Sequence, residues 1–98
     1  MTSKQRSYLK SLASTMDSVF QIGKSCLTTE FIDAIKGVLE THELIKINVL
    51  KNCVEDPKEI ADTLASHTRS EVVQIIGRKI ILYKQADEPE KRKIILPK

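Results

Sequence analysis

Val19-Phe20-Gln21-Ile22, then Gly23-Lys24-Ser25-Cys26-Leu27-Thr28, then a run to Leu39 in which Phe31, Ile35, Val38 and Leu39 form one apolar stripe: these are a strand, a glycine-led basic loop and an amphipathic helix in succession. Thr28 fits the N-cap of that helix and Glu30 its first turn, where a negative charge meets the positive end of the peptide dipoles. A loop entering a helix offers N–H groups with no partner inside the helix. Gly23 lets backbone come close, and Lys24 adds a full positive charge. On local sequence the loop fits two readings, a phosphate cradle and an ordinary strand-to-helix turn.

Working outward, the spacing of Tyr8, Leu9 and Leu12 predicts a short helix from Ser3 to Ser14, with Lys4, Arg6 and Lys10 turned to solvent or to a ligand. Gly37 inside the second helix costs about 1 kcal/mol relative to Ala, which predicts a close packing contact there. Leu44 to Leu50 alternates, Ile45, Ile47 and Val49 against Lys46 and Asn48, as a strand covered on one face does. Asp56-Pro57-Lys58-Glu59 supplies an N-cap, a proline at the first helical position and a glutamate three residues on, opening a helix that buries Ile60, Ala61, Leu64 and Ala65. Glu71 to Ile76 and Lys79 to Lys84 flank Gly77-Arg78 as the two arms of a hairpin with a basic tip. The order is therefore αβαβαββ. It defines an α/β fold, a two-layer sandwich with a mixed four-stranded sheet and helices packed on it. Residues 1–86 form one domain; 87–98 read as a linker and a basic C-terminal tail.

Composition limits the function. The 98 residues carry a net charge of +3, so positive charge can dominate one face but not the whole surface. Residues 1–26 hold Lys4, Arg6, Lys10 and Lys24 against Asp17, whereas residues 27–43 hold Lys36 against Glu30, Asp33, Glu40 and Glu43. With two Tyr, two Phe and no Trp there are few platforms for stacking unpaired bases, so a nucleic-acid ligand would be held by its backbone. Cys26 and Cys53 show neither zinc-ligand spacing nor a disulfide framework, and a reducing cytoplasm is the expected location. No apolar window reaches membrane-spanning length, and no nucleophile, base and orienter assemble from the Ser, His and Asp present. No catalytic residue, metal site or cofactor is expected. His42 and His67 fit turn and helix-end roles.

Three stretches agree with one pattern: Gly23-Lys24-Ser25-Cys26-Leu27-Thr28, His42-Glu43-Leu44-Ile45-Lys46-Ile47, and Val73-Gln74-Ile75-Ile76-Gly77-Arg78-Lys79-Ile80-Ile81-Leu82-Tyr83-Lys84. Together they resemble the CRM domain, and over nearly the whole chain the sequence is similar to the single-domain bacterial YhbY-like proteins. That resemblance implies a non-catalytic RNA-binding protein whose fold is similar to the C-terminal domain of translation initiation factor three. It implies association with ribosomal RNA of large-subunit precursors during ribosome assembly, and a Gly-x-x-Gly loop that approaches RNA. Here Gly23 matches the first glycine, and Cys26 stands where the second is expected.

The candidate RNA contacts are accordingly Gly23, Lys24, Ser25, Cys26 and Thr28 of the loop, Lys4, Arg6 and Lys10 of the first helix, and Arg78, Lys79 and Lys84 of the hairpin. Tyr83 is expected to be a half-buried core residue, and the chain a monomer. The rival reading is a protein-interaction module that uses the face carrying Leu44, Lys46 and Asn48, or the tail from Ile94 to Leu96.

Overall fold

A computed structural model describes residues 1–97; Lys98, the last residue of the basic tail, lies outside the described residues. The elements are α1 (Ser3–Ala13), β1 (Phe20–Ile22), α2 (Thr29–His42), β2 (Leu44–Val49), α3 (Pro57–Thr68), β3 (Glu71–Ile76) and β4 (Lys79–Tyr83), followed by a 3-10 turn at Pro89–Lys91. The sheet is mixed and runs β1-β2-β4-β3: β1 is parallel to β2, while β4 is antiparallel to both of its neighbours.

Local chemistry explains the helix boundaries. Thr28 caps α2 by accepting from the Phe31 N–H, and Asp56 caps α3 by accepting from Lys58, ahead of Pro57 at the first helical position. A full reciprocal capping box occurs instead on α1, where Thr2 and Gln5 each accept from the other's backbone. Gly77 has φ 57 in the β3–β4 turn, a conformation glycine adopts without cost. Gly37 departs from expectation. It lies on the exposed face of α2 with open space where a Cβ would sit, so no close contact accounts for it.

The strand alternation sorts two cores onto opposite faces of the sheet. Ile45, Ile47 and Val49 of β2 and Ile80 and Leu82 of β4 pack with Ile22, Ile35, Leu39, Ile60 and Leu64, under α2 and α3. The other face carries Leu44, Val73, Ile81 and Tyr83, covered by Leu9, Ala13 and Leu12 of α1 and by Ile94 and Leu96 of the tail. Helices therefore cover both faces, and most of the surface offered by the protein-docking reading is already covered from within the chain. Leu44 is 2 % exposed, the Lys46 ammonium donates to the Met16 carbonyl, and Ile94 and Leu96 of the tail pack inward, while Ile95 between them stays exposed. Tyr83 is buried rather than half-buried.

Two polar clasps hold this second layer. Glu43, with φ 64 and no exposure, closes α2 and accepts at its carboxylate from the N–H groups of Ala86, Lys93 and Ile94. Arg6 reaches across from α1 and donates through one nitrogen to the carbonyls of Val72 and Val73, at 2.7 and 2.9 Å. The β3 register shifts between Val72 and Gln74, so Arg6 meets carbonyl groups that a bulge leaves outside the regular ladder on an edge strand.

Candidate nucleic-acid interface

Parallel strands β1 and β2 end side by side, and each is followed by a tight turn of the same length. The Cys26 N–H donates to the Gly23 carbonyl at 2.9 Å, closing Gly23-Lys24-Ser25-Cys26; the Cys53 N–H donates to the Leu50 carbonyl at 3.1 Å, closing Leu50-Lys51-Asn52-Cys53. The Leu50 N–H donates to the Ile22 carbonyl at 2.8 Å, which extends the β1–β2 pairing up to the turns. A Cβ at Gly23 would lie 3.7 Å from the Asn52 side chain, so the two turns touch. Lys24 and Lys51 occupy the same position in each, the residue after the one whose carbonyl closes the turn. Both are exposed.

The cysteines that end the two turns are bonded to each other. Cys26 and Cys53 form a disulfide with Cα atoms 5.4 Å apart, which corrects the expectation that neither cysteine had a partner. Spacing along the chain carried no sign of it, because the pairing depends on β1 and β2 being adjacent and parallel. Cys26 has φ 54, so the left-handed conformation a second loop glycine would adopt is present here on a cysteine.

The loop is also set apart from the helix it precedes. Leu27 and Thr28 intervene, and the Thr28 hydroxyl accepts from the Phe31 N–H, so the first turn of α2 is capped by its own flanking residue rather than by the loop. Lys24 and Ser25 are exposed, while Gly23 and Cys26 are half-buried against the neighbouring turn.

The remaining cations divide by place. Strand direction brings the Gly77-Arg78 turn to the same end of the sheet, with Lys79 opposite Asn48. Lys79 is exposed. Arg78 turns inward: its guanidinium donates to the carbonyls of Val49 and Leu50, both at 2.8 Å, and of Cys53 at 3.1 Å. It braces the second turn from below. Lys84 lies at the opposite end of β4 and is held by Asp87 at 3.1 Å and Glu40 at 3.7 Å. Arg6 is engaged in the β3 clasp, four residues or about 13 Å along the strand from Ile76. That leaves Lys4 and Lys10 exposed on α1 but on the other layer.

The loop end thus gathers Lys24, Lys51 and Lys79, none of which has an ion-pair partner among the described residues. Sequence reasoning missed Lys51 and Asn52. Their only signal was a Lys-Asn pair directly after a strand, and it becomes meaningful once the strand is known to lie beside β1. Glu55 and Asp56 follow within a few residues, which keeps the basic strip narrow. No aromatic ring faces out among these turns; Phe20 and Phe31 pack edge to face, 5.2 Å apart, against the core. The chemistry on offer is phosphate contact by ammonium groups and turn backbone, without base stacking.

The fold and site together define a mixed α/β sheet capped at one end by paired basic turns, an open and positively charged ligand surface. The chain belongs to the CRS1/YhbY (CRM) domain family, whose model matches residues 1–84. It is 42% identical over 88 residues to the "Probable RNA-binding protein YqeI" of Bacillus subtilis (strain 168), covering 90% of this chain and 92% of that one. It is 33% identical to an "RNA-binding protein" of Haemophilus influenzae, over all of this chain and 96% of that one. The solution structure of SAV1595 from Staphylococcus aureus, described as an RNA-binding candidate, superposes with a TM-score of 0.78 at 45% identity, covering 99% of each chain.

Proposed function

We propose that this protein binds structured RNA without catalysis, and that its target is ribosomal RNA of large-subunit precursors during assembly in the cytoplasm. The observation that carries the reading is the twin-turn end of the sheet. Two contacting turns present Lys24 and Lys51 from equivalent positions, with Lys79 on the adjoining hairpin. Cations fixed on turns, with no aromatic platform near them, suit the sugar-phosphate backbone of a folded RNA better than splayed bases. The names carried by its relatives support RNA as the ligand class.

In this reading Lys24, the backbone of Gly23 and Ser25, Lys51 and Lys79 position the RNA, and the protein acts as a monomer. Lys4 and Lys10 on α1 form a separate basic strip outside the loop end. Crosslinking in cells followed by sequencing of the attached RNA tests the target, with sedimentation of lysates in parallel. The expected result is recovery of large-subunit ribosomal RNA and co-sedimentation with precursor particles. Recovery of no RNA above background, with the protein only in ribosome-free fractions, contradicts it.

A further inference from the structure

We propose that Cys26 and Cys53 form a reversible thiol–disulfide site, and that its state sets how tightly the twin turns hold RNA; the proposal rests on the RNA reading above. The bond joins the last residues of the two turns that carry Lys24 and Lys51. Closed, it makes the turns one rigid unit, so both ammonium groups meet a ligand together. It also adds a covalent tie to the hydrogen bond from the Cys26 N–H to the Gly23 carbonyl in holding Cys26 at φ 54, a left-handed conformation that is unfavourable for a residue with a Cβ. Opening the bond releases both constraints at the contact surface itself.

The two sulfurs differ in a way that gives the reaction a direction. Cys26 is half-buried at the surface, whereas Cys53 is 2 % exposed and packs in the main core. A thiolate of glutathione or of a protein dithiol therefore attacks Sγ of Cys26; the Cys26–Cys53 bond breaks and Cys53 leaves as the thiolate. The Arg78 guanidinium of the neighbouring hairpin, bonded to the Cys53 carbonyl, keeps the Cys53 backbone in place while its sulfur leaves. A second thiol attacks the mixed disulfide and frees Cys26. The two protein thiolates take up protons from water, and two electrons have passed from the reductant, which ends as its own disulfide. Oxidised glutathione runs the sequence in reverse. Disulfides in a reducing compartment are commonly transient and redox-sensing, which fits a crosslink placed on a ligand surface.

The test measures affinity for a transcript of large-subunit ribosomal RNA in oxidised glutathione and in dithiothreitol. Iodoacetamide adducts, counted by mass after denaturation, report the state of the bond. The expected result is no adduct and tight binding when oxidised, two adducts and affinity lowered about five-fold or more when reduced, as the cost of a non-glycine left-handed residue implies. Cys26→Gly, which adopts the left-handed conformation unaided, should bind equally in both buffers, and a denaturant melt checks that it is folded. Failure of the cysteines to pair in oxidised glutathione overturns the proposal. Equal wild-type affinity despite two adducts also overturns it while leaving RNA binding intact. Absence of binding in both states removes the RNA reading itself, and the proposal with it.

Discussion

Arg78 and Cys53 are joined across the end of the sheet: Nη2 of Arg78 donates to the Cys53 carbonyl at 3.1 Å, while the same side chain holds Val49 and Leu50. A hairpin residue that reads in the sequence as a basic tip is thus the brace of a neighbouring turn. Arg78→Ala leaves three carbonyls without their donor and should destabilise the fold by about 2–3 kcal/mol, measured by denaturant unfolding. Arg78→Lys should recover little of this, because one ammonium cannot span three acceptors in the guanidinium's planar geometry.

The Glu43 clasp makes the tail acid-labile. Burial alone pushes the Glu43 carboxyl up, but hydrogen bonds from Ala86, Ile94 and Lys93, with the nearby Arg92 charge, outweigh it and hold the group below its ordinary 4.5. A depressed value in the fold means that the unfolded chain binds the proton more readily. The stabilisation is therefore complete above about pH 4.5 and is lost as pH falls through the folded value. Glu43→Gln should remove that pH dependence, and since its amide sets a donor against a backbone N–H, it should cost about 1–3 kcal/mol. Urea melts from pH 3 to 7 on both proteins check the pair, with flat wild-type stability as the contrary result.

Tyr83 carries a buried hydroxyl with no hydrogen-bond partner among the described residues, and burial beside Glu43 pushes its pKa up, against the opposing effect of Arg92. Tyr83→Phe removes the unmatched group and keeps the ring in the second core. Stability should hold or rise by up to about 1 kcal/mol in a thermal or denaturant melt.

Lys51 and Lys84 make a matched pair of tests for where RNA sits. Lys51→Ala should weaken binding to all RNA sequences alike and lower the salt slope by about 1, whereas Lys84→Ala, at the far end of β4 and engaged with Glu40 and Asp87, should leave affinity unchanged. Filter-binding titrations on the two variants suffice; an effect of Lys84→Ala larger than that of Lys51→Ala would move the interface to the opposite end of the sheet.

Much of this architecture is legible in the sequence because it depends on local periodicity. The alternation in Leu44–Val49, the Asp56-Pro57 start of α3 and the Gly77-Arg78 hairpin each signal structure within a few residues. Features that depend on neighbours distant in the chain are not legible. The Cys26–Cys53 bond, the inward turn of Arg78, and the Arg6 grip on Val72 and Val73 arise only once strand order is set. A cation engaged in a carbonyl clasp and a cation free to meet phosphate look alike as letters. Lys24 stood out because a glycine precedes it, while Lys51, in the equivalent place one strand over, had nothing comparable beside it.

The measurement that bears most directly on the central claim is the salt dependence of RNA affinity for wild type and Lys24→Ala, from about 50 to 200 mM monovalent salt, with folding of both checked by melt. The expected result is a linear fall of log affinity with log salt for wild type, a slope smaller by about 1 for the variant, and equal stability. Binding that ignores salt, or a variant with unchanged affinity and slope, would contradict phosphate contact at the twin turns.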